Sequence, residues 1–139
     1  MTDLEIATDA LNSHSLALCL DGKTVTSDKR GVGALVGFID DNMNFDGYSA
    51  ADIIVGKAAA MMFVKLGVRT LYARTLSRSG AEYLKKNNVE FSYGEMCDRI
   101  INRAGTDICP MEKAVADTED CDEGYILIKR RMKELSGGK

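Results

Sequence analysis

The sequence predicts an α/β fold, a three-layer α/β/α sandwich built on a mixed sheet. Three observations point there. Asp21-Gly22 stands between two short runs, residues 15–20 (SLALCL) and 23–26 (KTVT), which is a hairpin signal and hence an antiparallel pair. Residues 68–73 (VRTLYA) and 89–93 (VEFSY) alternate and flank a helical segment. A strand–helix–strand unit of that length makes its two strands parallel. Residues 53–67 form a stretch apolar enough to be a helix buried against a sheet.

The elements follow in order. Residues 2–13 carry Leu4, Ile6, Ala7, Ala10 and Leu11 at helical spacing behind an early Asp3, which predicts a short helix. After the hairpin, residues 31–40 (GVGALVGFID) place Val32, Leu35, Val36 and Ile39 on one face of a helix opened by glycine. Residues 42–46 read as a loop and 47–52 (GYSAAD) as a short strand. In the helix over 53–67, Ile54, Ala58, Met61, Met62 and Leu66 keep the 3.6 period, and Gly67 stops it. The strand over 68–73 leads to a helix capped by Thr75 or Ser77 that runs to about Asn87. Asn87-Asn88 turns the chain into the strand over 89–93. A short helix is expected over 94–101 and a polar loop over 102–109. Pro110 suits the first turn of a helix with Met111, Ala114 and Val115 inside. Asp120 opens a last helix to about Leu135, and residues 136–139 are expected to fray. With no internal repeat and no linker, one domain spans 1–139.

Composition narrows the function classes. Lys+Arg is 18 against 21 Asp+Glu, a net charge of −3, which disfavours a whole-domain grip on nucleic acid. A single histidine, His14, excludes a His-rich metal site and a two-His zinc protease; a surface role suits it better than catalysis. Residues 1–14 hold Asp3, Glu5 and Asp9 and no Lys or Arg, unlike a signal peptide. The longest apolar-rich stretch, residues 53–64, is interrupted by Gly56 and Lys57 and is too short for a bilayer. A cytoplasmic protein without a membrane partner is expected. Cys19, Cys97, Cys109 and Cys121 form no CxxC pair, so free thiols and no metal are expected. The even spacing of the last three makes a shared metal or redox site only a minor reading. The basic run Lys129-Arg130-Arg131-Met132-Lys133 reads as a solvated helix face.

Three stretches carry candidate chemistry. Gly56-Lys57-Ala58-Ala59-Ala60 opens a helix after a strand. Free N–H groups and the dipole there suit an anion, with Lys57 as an added cation; otherwise the small residues serve close packing and Lys57 reaches solvent. It is neither a P-loop nor a dinucleotide fingerprint. Thr75-Leu76-Ser77-Arg78-Ser79-Gly80 lies at the next strand–helix junction, where crevices form beyond parallel strands. Ser77 and Ser79 would bond a ligand and Arg74 or Arg78 hold a carboxylate or phosphate, or Ser77 is an ordinary N-cap. Residues 102–112 crowd polar groups of several kinds into one loop, including Asn102, Arg103, Asp107 and Cys109. Cys109 at a helix start is a candidate thiolate nucleophile, or a buried structural thiol. Glu112 complements the dipole of its own helix, and Asp107 suits a turn.

The stretches ADIIVGKAAAMMFVKLGV, YARTLSRSGAEYL and IINRAGTDICPMEKAV resemble an uncharacterised domain-of-unknown-function family of small bacterial and archaeal proteins, whose members look like the cytidine deaminase-like fold. The resemblance spans about residues 16–135 and implies a mixed sheet layered by helices. It fails at the metal. Zinc deaminases open one helix with His-x-Glu and the next with Pro-Cys-x-x-Cys. Here Lys57-Ala58-Ala59 and Leu76-Ser77-Arg78-Ser79-Gly80 stand in those places, with Ser77 and Gly80 at the thiolate positions. Zinc-dependent deamination is therefore not expected, and no cofactor is expected.

The leading expectation is a non-zinc, deaminase-like domain binding a small anionic or nucleotide-like ligand at helix N-termini, in a pocket gathering Asp52, Gly56, Lys57, Ser77, Asn102, Arg103 and Cys109. One alternative is a thiol-dependent enzyme using Cys109. Another is an interaction module without a ligand, such as a homodimer.

Overall fold

The computed structural model describes residues 1–29, 31–102 and 104–136. Its first helix, α1 (Asp3–Ala10), opens with a capping box: the Thr2 hydroxyl accepts from Glu5 N, and the Glu5 carboxylate accepts from Thr2 N. β1 (Leu16–Leu20) and β2 (Lys23–Ser27) form the expected hairpin. Asp21 (φ 53°) and Gly22 (φ 79°) both take the left-handed conformation that a two-residue turn of this kind requires. The Asp3 carboxylate accepts from Asp21 N at 2.9 Å and Gly22 N at 3.0 Å, tying α1 to that turn. Next come α2 (Gly33–Asp40), β3 (Ser49–Val55), α3 (Lys57–Leu66), β4 (Thr70–Ser77), α4 (Arg78–Lys86), β5 (Glu90–Cys97), α5 (Pro110–Ala114) and α6 (Cys121–Leu135).

The five strands make one mixed sheet in the order β2-β1-β3-β4-β5. β1 runs antiparallel to both neighbours, whereas β3, β4 and β5 are parallel, joined by crossovers through α3 and α4. The period-2 pattern of β1 sorts its side chains between two cores. Leu16 and Leu18 join the large cluster with Leu35, Met61, Phe63, Leu84 and Ile128, so α2, α3, α4 and α6 share one face of the sheet. Ala17 and Cys19 turn to the other face, where α1 packs Ala7 and Leu11 against them and Ala51. Small residues on that face let one helix sit close.

The first helix, expected over 2–13, ends at Ala10, and the larger differences from expectation share one reason. The strand expected over 47–52 continues to Val55, and the helix expected from 53 begins at Lys57 with Gly56 as N-cap. Ile54 and Val55 pair with Thr75 and Leu76 in the parallel ladder, which β-branched residues favour. The strand expected over 68–73 accordingly runs to Ser77. The helix expected over 94–101 does not form. Glu95, Met96 and Cys97 pair instead with Thr75, Leu76 and Ser77, so the long β4 supplies ladder partners that local sequence does not reveal. Gly94 is suited to that strand because a Cβ there would lie 2.9 Å from Arg74 O and 3.0 Å from Tyr72 Oη.

Other expectations match the structure. Gly67 ends α3 in the left-handed conformation (φ 87°), Ser77 caps α4, Pro110 opens α5 and Asp120 caps α6. His14 bonds Asp28 at the surface. All four cysteines lie among the described residues and are unpaired. No helix among the described residues is long and apolar enough to cross a membrane. Ser136 follows α6 as its C-cap; the rest of the segment expected to fray, residues 137–139, lies outside the described residues.

Candidate functional site

The carboxyl ends of β3 and β4 bring Asp52, Ile54 and Arg74 to one edge of the molecule, beside the starts of α2 and α3. A cleft of about 410 Å³ opens there. Crevices form at this end of parallel strands because helices leave the sheet there. Its walls are mostly apolar, including Val32, Ile53, Ala59, Ile100 and Met111. Among the described residues the polar groups are few: Asp52, Glu112, Arg74, Ser15 and Cys109.

Asp52 sits in this wall because β3 is extended and pairs it between Leu16 and Ala73. Its carboxylate accepts from the backbone N of Ile53 at 2.8 Å. The residue is half-buried in the cleft wall. Burial pushes its pKa up to about 8, against a smaller lowering by the Ile53 and Ile54 N–H groups. Near pH 7 Asp52 is therefore mainly a neutral acid that offers both a donor and an acceptor. Arg74, largely exposed, brings a cation to the same wall and donates from Nη2 to Leu11 O at 3.3 Å.

Glu112 supplies the feature that sequence reasoning missed. Its carboxylate reaches from α5 to the first turn of α3 and accepts from Lys57 N at 2.8 Å and Ala58 N at 2.9 Å. The anion expected at this helix N-terminus is thus supplied by the chain itself, where orphan N–H groups and the dipole favour it. Burial raises the Glu112 pKa, and those two N–H groups and Lys57 partly offset the rise. Gly56 is required for this approach: a Cβ there would stand 2.3 Å from Glu112 Oε1. Gly80 in turn lets α4 start against α3, since its Cβ would lie 3.0 Å from Gly56 C. No local signal links Gly56 to a glutamate in a later helix. The sequence shows only that Glu112 occupies the first turn of its own helix.

The expected site residues divide. Asp52, Gly56 and Cys109 all line the cleft. Asn102 borders the adjoining groove, but its side chain is committed to a turn, accepting from Thr106 N at 3.0 Å. Lys57 turns away from the cleft. Its largely buried ammonium pairs with Glu119 at 2.6 Å and donates to Ala116 O at 3.3 Å, so its charge is matched within the protein. Ser77, fully buried, accepts from Gly80 N at 3.0 Å as the cap of α4, and Arg78 pairs with Asp98. Arg103 lies outside the described residues. Among the described residues, no group of three or more His, Cys, Asp or Glu side chains is placed to hold a metal.

The profile of the family TM1506, Domain of unknown function (DUF1893), matches residues 7–132. Among solved structures, the crystal structure of a DUF1893 family protein (TM1506) from Thermotoga maritima is similar with a TM-score of 0.80 and 24% identity. The similarity covers 96% of this chain and 91% of that one and speaks to the fold. No curated protein matches.

Proposed function

This chain belongs to the DUF1893 family of domains of unknown function, and from that premise we propose that it is a non-zinc, deaminase-like domain that binds a small nucleotide-like ligand through its base. One observation carries the reading: a mainly neutral carboxyl, Asp52, opens into a mostly apolar cleft at the carboxyl ends of parallel strands. A neutral acid matches the paired donor and acceptor on a nucleobase edge, and apolar walls suit a flat ring. The α3 terminus already holds Glu112 and Lys57 is paired with Glu119, so the base is the recognised part. Arg74 is the described cation of the cleft, available to an anionic substituent.

In the cytidine deaminase-like resemblance the metal site belongs to the starts of α3 and α4, and of these two the start of α3 borders this cleft. At those starts the chain has Lys57-Ala58-Ala59 and Ser77-Arg78-Ser79-Gly80 in place of imidazole and thiolates, and neither set fits zinc. The reading therefore includes no metal-activated water.

A thermal-shift series with the free bases and nucleosides tests it. The expected result is stabilisation by at least one of them, retained in Asp52→Asn and lost in Asp52→Leu. No stabilisation across the series, or unchanged binding in Asp52→Leu, overturns it.

A second reading is thiol chemistry. Cys109 lines the cleft as N-cap of α5 with its side chain unused in capping. Rapid alkylation by iodoacetamide, slowed by a bound nucleoside, is its expected signature. Alkylation no faster than that of a free cysteine removes it.

A further inference from the structure

The cleft does not end at Cys109 and Met111. A second cavity of about 460 Å³ shares Gly31, Val32, Cys109 and Met111 with it and runs on to Ile101, Met132 and Leu135. The two are one continuous depression with a polar end and an apolar end. Among its described lining residues the second cavity has no charged side chain, and Asn102 there is occupied by its own turn. Its rim leaves Ile101 51% and Leu135 58% exposed. Met111 and Met132 supply flexible, polarisable walls that adapt to an inserted chain.

We infer that the ligand of this site carries an apolar arm, which lies along the groove between Val32, Met111, Met132 and Leu135 while its polar head meets Asp52. This rests on the reading of Asp52 as the base-binding group. The occupant is a small molecule with a hydrogen-bonding heterocycle at one end and a hydrocarbon or thioether substituent at the other. Continuity of the groove with the Asp52 cleft, through the shared Gly31, Val32, Cys109 and Met111, supports that occupant, because one molecule filling both ends also buries the exposed apolar rim of Ile101 and Leu135.

Calorimetry and [13C]methyl-methionine spectra test the inference with 9-methyladenine, 1-methylcytosine and their N-hexyl counterparts as probes. Each methylene buried contributes about fourfold in affinity. The expected result is that a hexyl derivative binds at least about tenfold tighter than its methyl parent. The Met111 and Met132 methyl signals should shift, those of the buried Met61 and Met62 should not, and the gain should vanish in Met132→Gln. Leu135→Asp, on the exposed rim, should likewise reduce the gain. Equal affinity of hexyl and methyl probes overturns the arm and leaves base binding standing. If neither series binds, hexanol decides: saturable shifts of Met111 and Met132 support the groove and count against the base, and no shift overturns both. A stable dimer that covers Leu135 in solution also overturns the inference.

Discussion

Glu112 and Gly56 are a matched pair, and their coupling is measurable. Removing the carboxylate in Glu112→Ala strips two N–H groups at the start of α3 of their partner. A cost of about 1–3 kcal/mol is expected in urea unfolding. Gly56→Ala destabilises for the opposite reason, because its methyl collides with the same carboxylate. The double variant should cost less than the sum of the two, and additivity within error would show that the two residues are independent. Asp52 acts on stability through pH. Its folded pKa of about 8 lies above the ordinary 3.8, so the folded state keeps a proton that the unfolded chain has released. Stability from this group is therefore full below about pH 4, declines as pH rises towards 8, and levels off above it. The slope in that window approaches about 1.4 kcal/mol per pH unit at most. Asp52→Asn should flatten the wild-type trend between urea melts at pH 5 and pH 8, and an unchanged trend would place Asp52 in an ordinary aqueous setting.

At the scale of elements, the clearest sequence signals were single residues whose geometry has few alternatives. Asp21-Gly22, Gly67, Pro110 and Asp120 each fall where the expected turn or helix end lies. Gly67 is the most constrained: it is left-handed, and a Cβ would come 1.8 Å from Asp46 Oδ1. Gly67→Ala is expected to cost at least about 1–2 kcal/mol in thermal or urea unfolding. A neutral substitution would mean that the end of α3 relaxes freely. The strand ends were not legible, because a parallel ladder is made by partners far apart in sequence. Gly94 looks like a helix start until Tyr72 is seen to lie across it, and Ile53-Ile54-Val55 fits a buried helix or a buried strand equally well until Leu76 is placed beside it. The hydrophobic period sets the kind of element; β4 sets how far β3 and β5 extend.

For the whole molecule, the sheet order decides which polar residues meet. Asp52, Gly56 and Cys109 were legible as cleft residues because they lie near strand–helix and loop–helix junctions, where clefts form. Lys57 and Ser77 sit at the same junctions, yet their side chains are taken up by Glu119 and by the α4 cap. Sequence spacing locates a junction but not the direction in which its side chains turn. Glu112 inverts the expected electrostatics there, since the helix terminus that appeared ready for an external anion carries an internal one. In the proposed reading, the described residues offer a ligand a neutral acid, apolar walls and the Arg74 guanidinium. The measurement that tests this most directly is calorimetric affinity for the nucleoside that stabilises the protein most, followed from pH 6 to pH 10 in wild type, Asp52→Asn and Asp52→Leu. Affinity in the wild type should fall as pH rises through about 8, stay level in Asp52→Asn, and be lost in Asp52→Leu. A level wild-type profile, or full affinity in Asp52→Leu, would contradict the account.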